Sequence, residues 1–292
     1  MKAALIDGKT VAAQIRDEVQ NEIENLKSDR KPGLAVILVG DDPASEVYVR
    51  SKGRACEKAG IHSITRKMPK ATSEQTLLAE IDRLNNDDTY NGILVQLPLP
   101  NQINPQKVIE AISPKKDVDC FHPFNVGRLA IGMSIFEPCT PAGIIELLKR
   151  YEIDPAGKHV VILGRSNIVG KPMANLLVQK AKGANAIVTV VHSAAKDVSE
   201  YTRQADILIA AIGQPEFVTA EMVKDGVAVI DVGVNRVDAD TPKGYRLVGD
   251  VAFNEVAEKT SFITPVPGGV GPMTIAMLLR NTLKAFRLQN NR

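Results

Sequence analysis

Two places in this 292-residue chain carry side chains at spacings suited to chemistry. The first is Gly164-Arg165-Ser166-Asn167-Ile168-Val169-Gly170-Lys171-Pro172, which follows the apolar run Val160-Val161-Ile162-Leu163. A glycine turn between a strand and a helix aims backbone N–H groups and the positive end of the helix dipole at a pyrophosphate. The spacing departs from Gly-x-Gly-x-x-Gly, because Ser166 replaces the middle glycine and Gly170 comes one residue late. Read alone, the same glycines would also serve a turn that merely joins strand to helix. The next apolar run ends at Val191 and is followed by His192-Ser193, where an NAD site would place Asp or Glu. With no carboxylate there to hold a free 2′-hydroxyl, Arg165, His192 and Ser193 are expected to donate to a 2′-phosphate, which favours NADP over NAD.

The second place is the pair Tyr48 and Lys52, four residues apart and therefore on one face of a helix. That helix begins just after the run Leu34-Ala35-Val36-Ile37-Leu38-Val39, at the strand edge where α/β proteins bind ligands. Gln96 stands near the end of another apolar run, and Pro98 and Pro100 stiffen the exit from it. An exposed tyrosine and lysine is the bland alternative.

These residues need a scaffold, and the sequence supplies alternating elements. Val11, Ile15, Val19, Ile23 and Leu26 mark an amphipathic first helix that ends before Pro32. The run 34–39, stopped by Gly40-Asp41-Asp42-Pro43, reads as a strand buried on both faces of a parallel sheet. Helices over 45–58 and 73–84 and strands over 61–68 and 92–97 complete a first α/β series. A Pro- and Gly-containing crossing, residues 123–141, leads to a helix ending at Tyr151. A second doubly wound series follows, with strands over 160–163, 187–191, 206–212 and 227–232. The tail 272–288 repeats apolar residues at helical spacing (Ile275, Leu278, Leu279, Leu283, Phe286) and is expected to pack back on the first domain.

The fold class is thus α/β in two domains. One is residues 1–139 with 272–292, the other a Rossmann-like nicotinamide-binding domain, 140–271. With 44% hydrophobic and 24% charged residues, the composition is that of an ordinary globular protein. No apolar run approaches the roughly 20 residues that span a bilayer. The N-terminal sequence reaches Asp7 before a signal-peptide core can form, so a cytoplasmic location is expected. The 36 basic and 34 acidic residues are interspersed, which argues against a nucleic-acid partner. Cys56, Cys120 and Cys139 are odd in number and lack a Cys-x-x-Cys pair, so neither a disulfide framework nor a metal site is expected.

Seven ordered stretches give the chain a resemblance to one family: 40–52, 96–100, 116–122, 138–143, 164–172, 231–233 and 265–274. The sequence closely resembles the bifunctional methylenetetrahydrofolate dehydrogenase/methenyltetrahydrofolate cyclohydrolases. The resemblance implies that the first domain binds folate, that a methylene carbon between two folate nitrogens gives its hydride to NADP, and that water then attacks the cationic methenyl product. It makes Lys52 the catalytic lysine, Gln96 its hydrogen-bond partner, and Tyr48 the aromatic that lines and orients the folate ring. Asp119 becomes the pterin-binding carboxylate, a role its two oxygens suit, with Pro267, Gly268 and Gly269 as further substrate contacts. Gly164, Arg165, Ser166, Ile168, Gly170, His192, Ser193 and Val234 become the cofactor contacts, and a homodimer is implied. The family usually has glycine after the pterin-binding aspartate, whereas this chain has Cys120. A side chain there crowds the pterin or demands another backbone angle. Two competing readings are a shikimate-type two-domain dehydrogenase, which leaves Tyr48 and Pro98-Leu99-Pro100 unexplained, and a catalytically silent nucleotide-sensing module, against which Lys52 and Gln96 argue.

Overall fold

The structure, a computed structural model, describes residues 3–242 and 244–290. In chain order the elements are β1 (Ala4–Leu5), α1 (Gly8–Glu24), β2 (Gly33–Val39), α2 (Pro43–Lys58), β3 (His62–Met68), α3 (Glu74–Asn85), β4 (Gly92–Val95), α4 (Pro105–Ala111), α5 (Pro123–Ala130) and α6 (Cys139–Arg150). They continue with β5 (His159–Leu163), α7 (Gly170–Leu177), β6 (Ile187–Val191), α8 (Ser199–Thr202), β7 (Ile207–Ala210), β8 (Ala228–Asp231), β9 (Asn235–Asp238), β10 (Tyr245–Val248), α9 (Phe253–Ala257), β11 (Phe262–Ile263) and α10 (Val270–Asn290). The chain divides into two compact units: residues up to Ala12 with Thr140–Thr274, and Ala13–Cys139 with the residues from Ile275 onward.

The second of these units is built on a parallel sheet in the order β3-β2-β4. Strand β2 is buried at every position because it has a neighbour on each edge and helices over its faces, which is why its run is apolar without alternation. Helix α2 begins directly beyond it: Asp42 is the N-cap, its carboxylate accepting from the Ser45 N–H at 2.8 Å, and Pro43 follows where a missing N–H costs nothing. Ser73 caps α3 through the Thr76 N–H at 3.1 Å. The C-terminal part of α10 completes this unit: Leu279, Leu283 and Phe286 are buried, and Arg287 Nη1 lies 2.7 Å from Glu22 Oε2 on α1.

The other unit carries a parallel sheet in the order β1-β11-β8-β7-β5-β6, with an antiparallel hairpin of β9 and β10 outside it. Its central strands β5, β7 and β8 are buried and made of Val, Ile, Leu and Ala, apart from the half-buried His159 that opens β5 and the buried Asp231 that ends β8, as a doubly wound sheet requires. The two-residue β1 enters this sheet beside β11, Ala4 opposite Phe262. Among the described residues, no helix is long and apolar enough to cross a membrane.

Candidate functional site

In the unit of the three-stranded sheet, Gly40 turns the chain out of β2 at φ +91°, and α2 then presents Tyr48 and Lys52 one helical turn apart. Tyr48 is 44% exposed, whereas Lys52 is only 8% exposed. A buried ammonium or amine needs a partner. It has one: Lys52 Nζ lies 3.0 Å from Gln96 Oε1. Gln96 sits just past β4, tied to the sheet by its own N–H to Ile37 O at 2.9 Å. Its side-chain Nε2 donates to Leu97 O at 2.7 Å, which fixes the amide so that the oxygen faces the lysine.

The segment Lys116-Asp117-Val118-Asp119-Cys120-Phe121-His122 runs beside β4, where Ile93 donates to Lys116 O at 2.8 Å. Its charges divide by task. Lys116 donates to Leu84 O in the last turn of α3 at 2.9 Å and to Asp87 O just beyond it at 2.8 Å. Asp117 is buried and accepts from the N–H groups of Phe121 and His122 and from Asn125 Nδ2. Both side chains are engaged in shaping the loop. Asp119 differs: burial of its carboxyl group pushes its pKa up, the Lys52 charge works in the opposite direction, and the Cys139 thiol donates to its Oδ1 at 3.4 Å. One carboxylate oxygen is thereby left for a ligand.

Cys139 and Asn281 escape sequence reasoning as parts of this site. Asn281, on α10, donates from Nδ2 to Val118 O at 2.8 Å and to Glu137 O at 2.9 Å, and lies 3.7 Å from Cys139 Sγ. It therefore braces the backbone on both sides of the Asp119–Cys139 contact. Cys120 adopts φ +60°, the left-handed region in which glycine is least strained. The side chain does not reach the surface: it is buried, with Sγ 3.1 Å from Phe136 O. The glycine-like backbone angle is thus kept and the thiol is stowed in the core, where burial and nearby carboxylates raise its pKa.

In the unit of the six-stranded sheet, β5 pairs with β6 on one side and β7 on the other, so the loops beyond their carboxyl ends border the switch-point crevice of a doubly wound sheet. Gly164 has φ +122°, and a Cβ added there would stand 2.2 Å from Ala211 O; one added at Gly170 would stand 2.2 Å from Gly164 O. Both glycines are therefore required by the tightness of the turn. Ser166 Oγ accepts from Val169 N at 3.1 Å and Gly170 N at 3.4 Å, which closes the turn and leaves the hydroxyl proton free to donate. The missing middle glycine is explained: the serine builds the turn through its side chain. Arg165 and Ile168 are exposed on this loop. His192 and Ser193 follow β6 alongside it, with Gly164 N donating to Val191 O at 2.8 Å. His192 Nδ1 accepts from Ala194 N at 3.2 Å, which leaves Nε2 to carry a proton outward. Val234 is exposed between β8 and β9. This cradle, narrow where glycine is needed and basic at its rim, fits a dinucleotide phosphate.

Pro267, Gly268 and Gly269 lie in this same unit, before α10, with Val266-Pro267 in the cis form. Gly269 N donates to Pro265 O at 2.8 Å, and Gly268 O accepts from Lys9 N at 2.9 Å. A Cβ at Gly8 would stand 1.8 Å from Gly269 O, so α1 and this turn share a backbone-to-backbone contact that admits only glycine at position 8. Among the described residues, no group of three or more His, Cys, Asp or Glu is placed to hold a metal ion.

Comparison with known proteins bears on both units. Residues 6–119 match the family model described as tetrahydrofolate dehydrogenase/cyclohydrolase, catalytic domain, and residues 138–290 match that of its NAD(P)-binding domain. The chain is 57% identical over 288 residues to the bifunctional protein FolD of Halalkalibacterium halodurans, covering 98% of this chain and 100% of the relative. It is 55% identical over 291 residues to that of Chlorobium chlorochromatii, covering 98% and 99%. Among solved structures, the bifunctional methylenetetrahydrofolate dehydrogenase/cyclohydrolase of Campylobacter jejuni superposes with a TM-score of 0.93 at 51% identity, covering 98% of this chain and 99% of the other. The N5,N10-methylenetetrahydrofolate dehydrogenase-cyclohydrolase of Trypanosoma brucei, complexed with NADP cofactor and inhibitor, superposes with a TM-score of 0.95 at 41% identity over the whole of both chains.

Proposed function

The chain belongs to the tetrahydrofolate dehydrogenase/cyclohydrolase family, and from that premise we propose how its residues divide the work of two activities. It oxidises 5,10-methylenetetrahydrofolate to 5,10-methenyltetrahydrofolate with NADP, then hydrolyses the product to 10-formyltetrahydrofolate. When bound, NADP supplies the hydride acceptor; the protein's part in that step is alignment. We assign alignment of the folate to Tyr48, whose exposed ring offers a face to the pterin, and to Asp119, whose free oxygen accepts from an aminopyrimidinone edge. Pro267, Gly268 and Gly269 are assigned to the substrate as a backbone surface. Gly164, Arg165, Ser166, Ile168, Gly170, His192, Ser193 and Val234 are assigned to NADP, with Arg165 and His192 as donors to its 2′-phosphate. On this reading Tyr48 and Asp119 are the folate contacts that fall in Ala13–Cys139, and all the dinucleotide contacts fall in Thr140–Thr274.

Hydrolysis falls to Lys52. The observation that carries this role is the buried contact of Lys52 Nζ with Gln96 Oε1 at 3.0 Å, one helical turn from Tyr48. The Gln96 amide oxygen orients the nitrogen, which is thereby placed to assist proton transfer to and from the attacking water. Hydride transfer from the folate carbon needs no proton acceptor, so the two activities are expected to separate. Lys52→Met keeps the apolar stem and removes the amine. Hydrolysis of supplied methenyltetrahydrofolate is expected to fall about 10² to 10⁴-fold, while appreciable dehydrogenase turnover survives. Hydrolysis near the wild-type rate in folded Lys52→Met protein would move the role to another group.

The cytoplasmic location and the homodimer belong to the same proposal. The edge strand β6, which leaves Ile187 and Val190 exposed, supports the dimer, because an uncovered sheet edge is a ready template for a second copy.

A further inference from the structure

Two buried carboxylates, Asp231 and Asp250, have no part in the roles assigned above, although both stand at the carboxyl edge of the six-stranded sheet. Asp250 is 0% exposed. Its Oδ2 accepts from the backbone N–H of Ile212 at 2.7 Å and of Gly213 at 2.9 Å, and its Oδ1 accepts from Asn235 Nδ2 at 2.9 Å. Asp231 holds Asp250 in turn: Oδ1 accepts from the N–H groups of Asp250 at 2.9 Å and Gly233 at 3.0 Å, and Oδ2 accepts from Val251 N at 3.0 Å. These donors are all amides. The pair is therefore a backbone clamp rather than half of an ion pair, and its geometry decides which segment it serves.

That segment is the loop leaving β7. Strands β5 and β7 are neighbours at the point where the strand order reverses, so the loop after β5, with Gly164 to Gly170, and the loop after β7 form the two lips of one crevice. They approach closely at Gly164 and Ala211, where a Cβ on the glycine would stand 2.2 Å from the carbonyl oxygen. The next two residues are Ile212 and Gly213, the ones that Asp250 grips. Gly213 adopts φ +68°. Two adjacent N–H groups donating to one anionic oxygen fix two successive peptide planes, and charge-assisted bonds of this kind are stronger than neutral ones. The fit is close on the far side as well, because a Cβ at Gly233 would lie 2.2 Å from Asp250 Oδ1.

We propose that Asp250 is a positioning residue for the nicotinamide dinucleotide: it fixes Ile212 and Gly213 as the second wall of the crevice, and Asp231 fixes Asp250. The inference rests on the assignment of the Gly164–Gly170 loop to NADP. Asp250→Asn preserves volume but turns the charge-assisted bonds from Ile212 and Gly213 into neutral ones and points an NH₂ group, which cannot accept, at Asn235 Nδ2. Titration of the full-length protein with NADPH, followed by its fluorescence, is expected to show affinity weakened by about tenfold or more, the effect of losing one charged hydrogen bond. The KM for NADP should rise by a similar factor with a smaller change in kcat. Hydrolysis of supplied methenyltetrahydrofolate, which needs no dinucleotide, should stay within about twofold of wild type, a result that general unfolding would not leave. Gly233→Ala displaces the same carboxylate from the other side and should reproduce the pattern; it decides the matter if Asp250→Asn does not fold. Unchanged NADPH affinity in folded variants would overturn the proposal, as would parallel loss of hydrolysis. Failure of the wild-type protein to bind NADPH would instead defeat the cofactor assignment on which it rests.

Discussion

Single residues here do different jobs from those their types suggest, and the glycine loop shows it. Ser166 spends its lone pairs on Val169 N and Gly170 N, so the turn is closed by a side chain where the common pattern uses a glycine. Arg165 is exposed beside it and carries no comparable structural duty in the turn. Arg165→Ala should therefore leave the fold intact and act on cofactor choice alone. Losing a charge-assisted bond to a 2′-phosphate costs about 1.5 to 3 kcal/mol, so kcat/KM with NADP is expected to fall about tenfold or more while that with NAD changes little. An unchanged ratio of the two efficiencies would remove Arg165 from the 2′-phosphate. The spacing of Tyr48 and Lys52 was legible because a helix fixes neighbours locally. The Cys139 thiol at Asp119 and the bracing by Asn281 were not, since they join residues far apart in the chain that no local pattern relates.

At the scale of elements, the same distinction holds. Strands β2 and β5 announce themselves by unbroken apolar runs because both of their faces are covered. The hairpin strand β9 alternates partly buried and exposed residues over Asn235-Arg236-Val237-Asp238 with a single apolar side chain, β10 is four residues long with no regular burial, and β1 and β11 are two residues each, too short for any period. Helix α10 carried a clear apolar stripe, yet its polar contribution lay hidden within it: Asn281 satisfies two buried carbonyls of the loop that carries Asp119. Asn281→Leu fills the space and leaves both acceptors unpaired. Stability is expected to drop by about 2 to 4 kcal/mol, and folate affinity should fall with NADPH affinity unchanged. Calorimetry with each ligand separates these effects, and equal losses for both would show that α10 serves stability without shaping the Asp119 loop.

For the whole molecule, burial has left carboxyl groups whose pKa the fold raises. Asp231 is pushed up to about 7 by burial, against the pull of the backbone N–H groups of Asp250 and Val251, and burial raises Asp117 and Asp119 in the same sense. An unfolded aspartate titrates near 3.9, so between about pH 4 and about pH 7 Asp231 keeps its proton in the folded chain to a greater extent than in the unfolded one. Stability from this source is complete below the unfolded value and is lost as pH rises through about 7. Unfolding free energies measured by denaturant titration from pH 5 to 8 should therefore decline up to about pH 7 in the wild type relative to Asp231→Asn, with a slope of up to about 1.4 kcal/mol per pH unit; parallel curves would show that Asp231 stays ionised. The chain's path has a consequence of another kind. Ala4 pairs with Phe262, and the unit of Ala13–Cys139 is completed only by residues from Ile275 onward. During vectorial synthesis on a ribosome, neither unit possesses all of its parts until Thr274 has been added, and the unit of Ala13–Cys139 waits for the residues beyond it. A nascent chain stalled after α9 therefore holds two unfinished cores, and cutting the gene between Cys139 and Thr140 would yield no fragment equal to either unit.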